Sequence, residues 1–232
     1  MKFFDRAIVL TFLAHGAAML GMLLFLLPLV PGGGGGTDLD RMLRIADSPV
    51  AYRLGWLGWQ ITAISDLLLA AALVRVTSAR SRARRIAVVT AGFVVLAVIP
   101  DQTAQISLVT RGFELAREGA PYRDATDFIA FENMMFPLTS GWAAVLYTLG
   151  AIGWALVLRE VGIWNRALAR LSPPMLVLFS GISIAPILPL ALRPKPELIG
   201  IGNALAFTVL EAWFALVWWL LRKRLAVVAT GE

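Results

Sequence analysis

The chain has 232 residues, of which 59% are hydrophobic and 16% charged, and its mean hydropathy is +0.76. Soluble domains carry about a quarter charged residues, so this composition excludes an ordinary water-soluble globule and points to a polytopic membrane protein. The net charge of +6 is spread over the flanks of apolar runs, which assigns it to topology and to lipid headgroups rather than to nucleic acid. With no cysteine, disulfides, thiolate chemistry and cysteine metal sites are also excluded.

In chain order the apolar runs predict an all-α fold of six transmembrane helices in a single domain over 1–232, each run long enough to cross a hydrocarbon layer of ~30 Å. The first, 7–30, has the basic flank of a signal peptide (Lys2, Arg6), but its apolar part is too long and lacks a small-residue cleavage site. A retained helix is the expectation. The run Gly32–Gly36 has no Lys-Ser/Thr after it, so it reads as a joint and not as a phosphate cradle. Asp38–Ala46 reads as a short surface helix ahead of Ser48-Pro49. The second span is 54–74 and the third 86–109.

The connection 111–137 is more than a turn. Residues 111–118 are expected to prolong the third helix until Gly119-Ala-Pro121 stops it, while 124–136 mixes acids with Phe128, Ile129, Phe131, Met134, Met135 and Phe136. Such an apolar segment, too short to span, is expected in the interface or folded back as a lid. The fourth span is 138–158, and the fifth (175–192) and sixth (198–221) are joined by the proline-stiffened hairpin 193–197.

Basic residues orient the bundle. With both termini cytoplasmic, the inner segments hold 13 Lys/Arg and the outer ones 8, the densest cluster being Arg80 to Arg85 on the inner side. The positive-inside rule favours that arrangement, in a cell (plasma) membrane. Trp56, Trp59 and Trp142 then fall near outer ends, and Trp164, Trp218 and Trp219 near inner ends, where amphipathic rings anchor.

Three ionisable residues sit in mid-span: His15, Asp66 and Glu211. A charge at the bilayer centre costs about 2.5–3.5 kcal/mol on insertion scales, so such a residue needs a partner or a wet cavity and marks a site by default. Each lies on a row of small or polar residues: Thr11, His15, Ala18; Gly58, Thr62, Asp66, Ala70; and Ala204, Thr208, Glu211, Ala215. Those rows are the faces by which membrane helices approach one another. No Lys or Arg shares their depth. Either His15 is protonated and paired with a carboxylate, or the acids are neutral and hydrogen-bonded between helices.

The third span adds Asp101, Gln102 and Gln105 behind Pro100, whose missing N–H frees a carbonyl. Gln60, Trp59, Asn203, Glu132 and Asn133 complete the outline of a polar vestibule on the outer side. The chemistry this pattern supports first is acid–base catalysis of isomerase or cyclase type on a lipophilic substrate. Glu211 or Asp66 acts as the acid, His15 as its partner, and Asp101 stands by. A proton-coupled transporter or lipid carrier, and a non-catalytic subunit whose acids fix helix packing, are the alternatives. One histidine makes no zinc or haem site, Asp124-x-x-Asp127 is too common to argue a magnesium site, and Ser65 beside Asp66 lacks a base. No metal or cofactor is therefore expected; membrane lipids and a lipophilic small molecule are the expected partners.

Topology is directly testable on this cysteine-free chain. Single cysteines within 37–53 are expected to react with an impermeant maleimide in intact cells, and those within 77–84 only after permeabilisation; the reverse pattern would invert the orientation.

Overall fold

The computed structural model describes residues 2–31, 33, 36–79 and 81–230, apart from the side chains of residues 2, 190 and 225–230. Gly32, Gly34 and Gly35 of the glycine run, and Arg80 of the arginine cluster, lie outside the described residues. Among the described residues there is no strand. The helices are α1 (Lys2–Gly21), α2 (Asp38–Asp47), α3 (Pro49–Val76), α4 (Arg82–Ser107), α5 (Phe113–Gly119), α6 (Thr126–Phe136), α7 (Ala144–Glu160), α8 (Arg166–Ile184) and α9 (Pro196–Thr230).

Six helical stretches are long and apolar enough to cross a membrane: Phe3–Leu29, Pro49–Val76, Arg82–Tyr122, Thr126–Glu160, Arg166–Ile187 and Pro196–Arg224. Two are much longer than their apolar cores. Arg82–Tyr122 has 41 residues and Thr126–Glu160 has 35, about 60 and about 50 Å at the helical rise, against ~30 Å of hydrocarbon. The segment expected as a separate lid is therefore a stiff prolongation of the third and fourth spans. Wide turns at Leu108–Gly112 and Pro137–Ala143 let each helix re-register and carry on, Pro137 falling at the start of its turn, where a missing N–H is harmless. The chain reverses only at Ala120–Tyr122 and Arg123, whose φ of 52° is left-handed.

Local signals set the other boundaries. Thr37 and Asp40 form a capping box that starts α2, and hydrogen bonds from the Thr37 backbone N–H and hydroxyl hold the Asp40 carboxyl below the usual aspartate range. Ser81 caps α4 through the Arg84 N–H, and Asn165 caps α8 through the Leu168 N–H. The fifth span begins at that cap, earlier than the apolar run, and its last regular turn ends at Ile187 after Pro186.

Packing divides into two apolar clusters. One, at the end where Arg222 meets Asp5 (2.9 Å) and Arg82 meets Glu160 (3.8 Å), gathers Phe4, Ile8, Leu69, Leu73, Trp154 and Trp213 with their neighbours. The other gathers Leu26, Met42, Ile45, Tyr52, Leu108 and Phe128 at the opposite end, where α2 lies on α5. Leucine, isoleucine and valine side chains such as Leu13, Leu24, Ile64, Ile99 and Val177 stay exposed around the spans, as lipid-facing residues should.

Glycines set the closest helix contacts. A Cβ on Gly58 would stand 2.8 Å from the Ala18 Cα, and one on Gly153 would overlap the Thr90 side chain. Gly153→Val is thus expected to force α4 and α7 apart at a cost of roughly 1–3 kcal/mol. It would appear as a lower Tm in detergent, partly restored by Thr90→Ala; an unchanged Tm would show that the seam is looser than this.

Candidate functional site

Between the two apolar clusters lies a layer of polar side chains contributed by α1, α3, α4 and the fourth span. On α1 the Thr11 hydroxyl donates to the backbone oxygens of Ala7 (3.0 Å) and of Ser65 on α3 (3.2 Å). One turn on, His15 is buried; its Nδ1 lies 3.0 Å from the Thr11 carbonyl oxygen, and its Nε2 lies 3.9 Å from Asp66 Oδ2. A carbonyl oxygen only accepts, so Nδ1 carries the hydrogen of that bond and Nε2 is left facing the carboxyl group. The second Asp66 oxygen, Oδ1, is buried without a hydrogen-bond partner.

Asp101 has opposite surroundings. Its Oδ1 accepts from Thr139 Oγ1 (2.5 Å) and Gln105 Nε2 (2.8 Å), and its Oδ2 from Gln102 Nε2 (3.3 Å) and the Tyr147 hydroxyl (3.3 Å). Two donors come from its own helix and two from the facing fourth span, so this carboxyl group stitches the helices together. Asp66 stands within electrostatic range of Asp101, and the Tyr147 hydroxyl within range of both. The structure thus brings His15, Asp66 and Asp101 into one layer.

Glu211 is not joined to that layer by any ion pair or hydrogen bond among the described residues. It is half-buried on α9 between Phe207 and Phe214, whose rings lie 6.1 and 5.5 Å from His15, and its Oε1 is buried without a partner. Gln60 and Asn203 are half-buried and stand apart from the network. Trp59 packs edge-on against Phe207 (4.8 Å), with its Nε1 buried and unpartnered.

Glu132 belongs to a different cluster. It is buried on α6, where Arg41 reaches it from α2: Nη1 donates to Oε1 at 2.8 Å and Nη2 stands 2.5 Å from Oε2. Arg41 also meets Asp38 (3.1 Å) and lies over the Phe128 ring at 5.3 Å. Burial works against the Arg41 charge, but the hydrogen bonds and charges of Glu132 and Asp38 outweigh it and hold its pKa above the usual arginine value. Asn133 is exposed. A groove of about 480 Å³ lined by Glu114, Arg117, Glu118, Pro121 and Tyr122 is open at this end of the molecule and does not touch the polar layer.

No protein-family model, curated protein or solved structure matches this chain. Among the described residues no group of three or more His, Asp or Glu is placed to hold a metal ion.

Sequence reasoning passed over Thr139, Tyr147 and Arg41. Thr139 and Tyr147 are two helical turns apart on one face of the fourth span, a signal visible only once Asp101 is known to face them. Arg41 had a local signal: it is the one charge among the buried residues of α2, beside Met42 and one turn before Ile45.

The Arg41–Glu132 pair should dominate the stability of the α2 end. Arg41→Met is expected to cost about 3–5 kcal/mol, because it strands a buried carboxylate. The double change Arg41→Met with Glu132→Leu should cost clearly less. Chemical denaturation of the three proteins in detergent checks this; additive losses would mean the two residues do not act as a pair.

Proposed function

We propose that this membrane protein is an acid–base catalyst acting on a lipophilic molecule, with His15 and Asp66 as its proton-exchanging pair. One observation carries the reading: Nε2 of His15, its tautomer set by Thr11, faces an Asp66 carboxyl group whose other oxygen has no partner. The two atoms stand 3.9 Å apart, so the proton sits on Asp66 in the neutral pair and on Nε2 in the ionic one. In the neutral state Asp66 is a donor and Nε2 a base, the two functions an isomerisation needs. A proton leaves one carbon for Nε2 and another reaches a second carbon from Asp66, with no net change in protons or electrons. Phe207 and Phe214 supply aromatic faces beside His15 for any positive charge that builds up.

The distribution of polarity favours a catalyst over a carrier. Apolar clusters bound the polar layer toward both ends of the bundle, one around Phe4, Leu73 and Trp213 and the other around Leu26, Leu108 and Phe128. Polar groups confined to one layer suit a local reaction; a carrier needs a path that reaches both faces. Helix packing, the third alternative, fits Asp101, whose oxygens are answered by four donors, far better than Asp66.

An acid–base isomerase exchanges substrate hydrogens with solvent, so its activity can be read before the substrate is identified. Membranes containing the protein, incubated in D2O, are expected to yield a lipid species that gains deuterium by mass spectrometry. Asp66→Asn and His15→Gln should abolish the label while leaving insertion and Tm nearly intact, since each amide keeps the shape and hydrogen-bonding capacity of the site. Undiminished labelling in a well-folded Asp66→Asn protein would overturn the assignment.

A further inference from the structure

We infer that the face of α3 running from Tyr52 to Asp66 is the binding track for a neutral, carbonyl-headed lipid, its head at Tyr52–Trp59 and its tail reaching Asp66. This rests on the proposed catalytic reading and names its substrate class. Tyr52, Trp56 and Trp59 follow at i, i+4 and i+7, so they share one helix face, and Asp66 stands two turns further along it. The Tyr52 hydroxyl and the Nε1 atoms of Trp56 and Trp59 are all buried without a hydrogen-bond partner. Trp56 is close to the Tyr52 oxygen but outside hydrogen-bond geometry. Arg41 Nε, in electrostatic contact with Tyr52, is a fourth buried donor without an acceptor.

Buried tyrosine and tryptophan polar atoms normally find partners, so several unanswered donors on one face mark a place that takes an acceptor. The charges nearby decide what kind. Arg41, the cation in electrostatic contact with Tyr52, is already matched by Glu132 and Asp38 and is not free to hold a phosphate or carboxylate. Three neutral donors beside a satisfied ion pair suit an uncharged oxygen: a ketone, quinone or ester carbonyl. The wall is adaptable, because Met22, Met42 and Met135 belong to the same cluster, and unbranched thioethers repack around a guest. From Trp59 to Asp66 the helix rises about 10 Å, so the head is an anchor remote from the reacting carbons. Binding energy gained there is available to position the tail at His15 and Asp66.

The test uses the full chain in nanodiscs titrated with hexadecyl methyl ketone, with heptadecane and hexadecyl phosphate as probes of similar length, and reads Tm. The ketone is expected to raise Tm saturably, with the alkane and the phosphate weaker. Tyr52→Phe, which removes only the hydroxyl, should weaken the apparent Kd for the ketone by roughly 2- to 12-fold, and Trp56→Phe and Trp59→Phe by a similar factor. Arg82→Gln, exposed at the opposite end of the bundle, should keep ketone affinity. Equal stabilisation by heptadecane would remove the acceptor argument, and stronger binding of the phosphate the charge argument. No saturable binding of the ketone, an unchanged affinity in Tyr52→Phe, or an equal loss in Arg82→Gln would each overturn the placement. Ketone binding that depends on Tyr52, alongside deuterium labelling that survives Asp66→Asn, would leave this site standing and remove only the proposed chemistry.

Discussion

Inside hydrocarbon no water answers a polar group, so each donor and acceptor must be met by another part of the chain. Asp101 is where this bundle meets that demand most fully. Its two oxygens take four hydrogen bonds, from Gln102 and Gln105 on α4 and from Thr139 and Tyr147 on the facing span. The contact between these helices follows from the same need. Pro137 and the wide turn after it bring Thr139 round to α4, and Gly153 lets the helices close over Thr90 beyond the carboxyl group. Two apolar clusters then stack on either side of the polar layer.

Asp66 is the same residue type at the same level, yet it receives no such set of donors. Its one close neighbour is a histidine whose other nitrogen is tied to the backbone. A carboxyl group held by four donors has little freedom to trade protons, because each exchange breaks the network. A carboxyl group opposite a single imidazole trades one proton at the cost of one contact. Neighbours alone thus set apart an acid answered by four donors from one that faces a single imidazole.

At the α2 end the same rule acts through an ion pair. Asp38–Asp47 is amphipathic, and its polar side leaves Asp38 and Asp47 exposed while Met42 and Ile45 pack down. Arg41 goes down with them, which is tolerable only because Glu132 on the prolonged fourth span and Asp38 receive it. The prolonged fourth span offers that surface through Glu132, Phe128 and Met135. Without α6 standing upright the arginine has no partner, and without α2 the faces of Phe128 and Met135 are uncovered.

The sequence by itself determined the class of this protein. Apolar runs of fixed length, the Thr37–Asp40 and Ser81 caps and the stop at Gly119-Ala-Pro121 are local signals, and local signals survive without a partner. The same holds for the small-residue rows that carry His15 and Asp66, since helical periodicity turns a residue toward its neighbours whatever those neighbours are. What only the tertiary structure decided was the partner of each polar group. Glu132 reads as part of a vestibule until Arg41, far off in the chain, is placed upon it. Glu211 reads like Asp66 on its own helix, yet it stands half-buried between two phenylalanines with no hydrogen bond or ion pair among the described residues. Asp101 reads as an acid like the others until Thr139 and Tyr147 surround it. Helix geometry fixes which way a side chain points along its own segment, but helix crossings fix what it meets. Crossings depend on pairs of helices packing at glycine contacts such as Gly58 and Gly153, which no single segment contains.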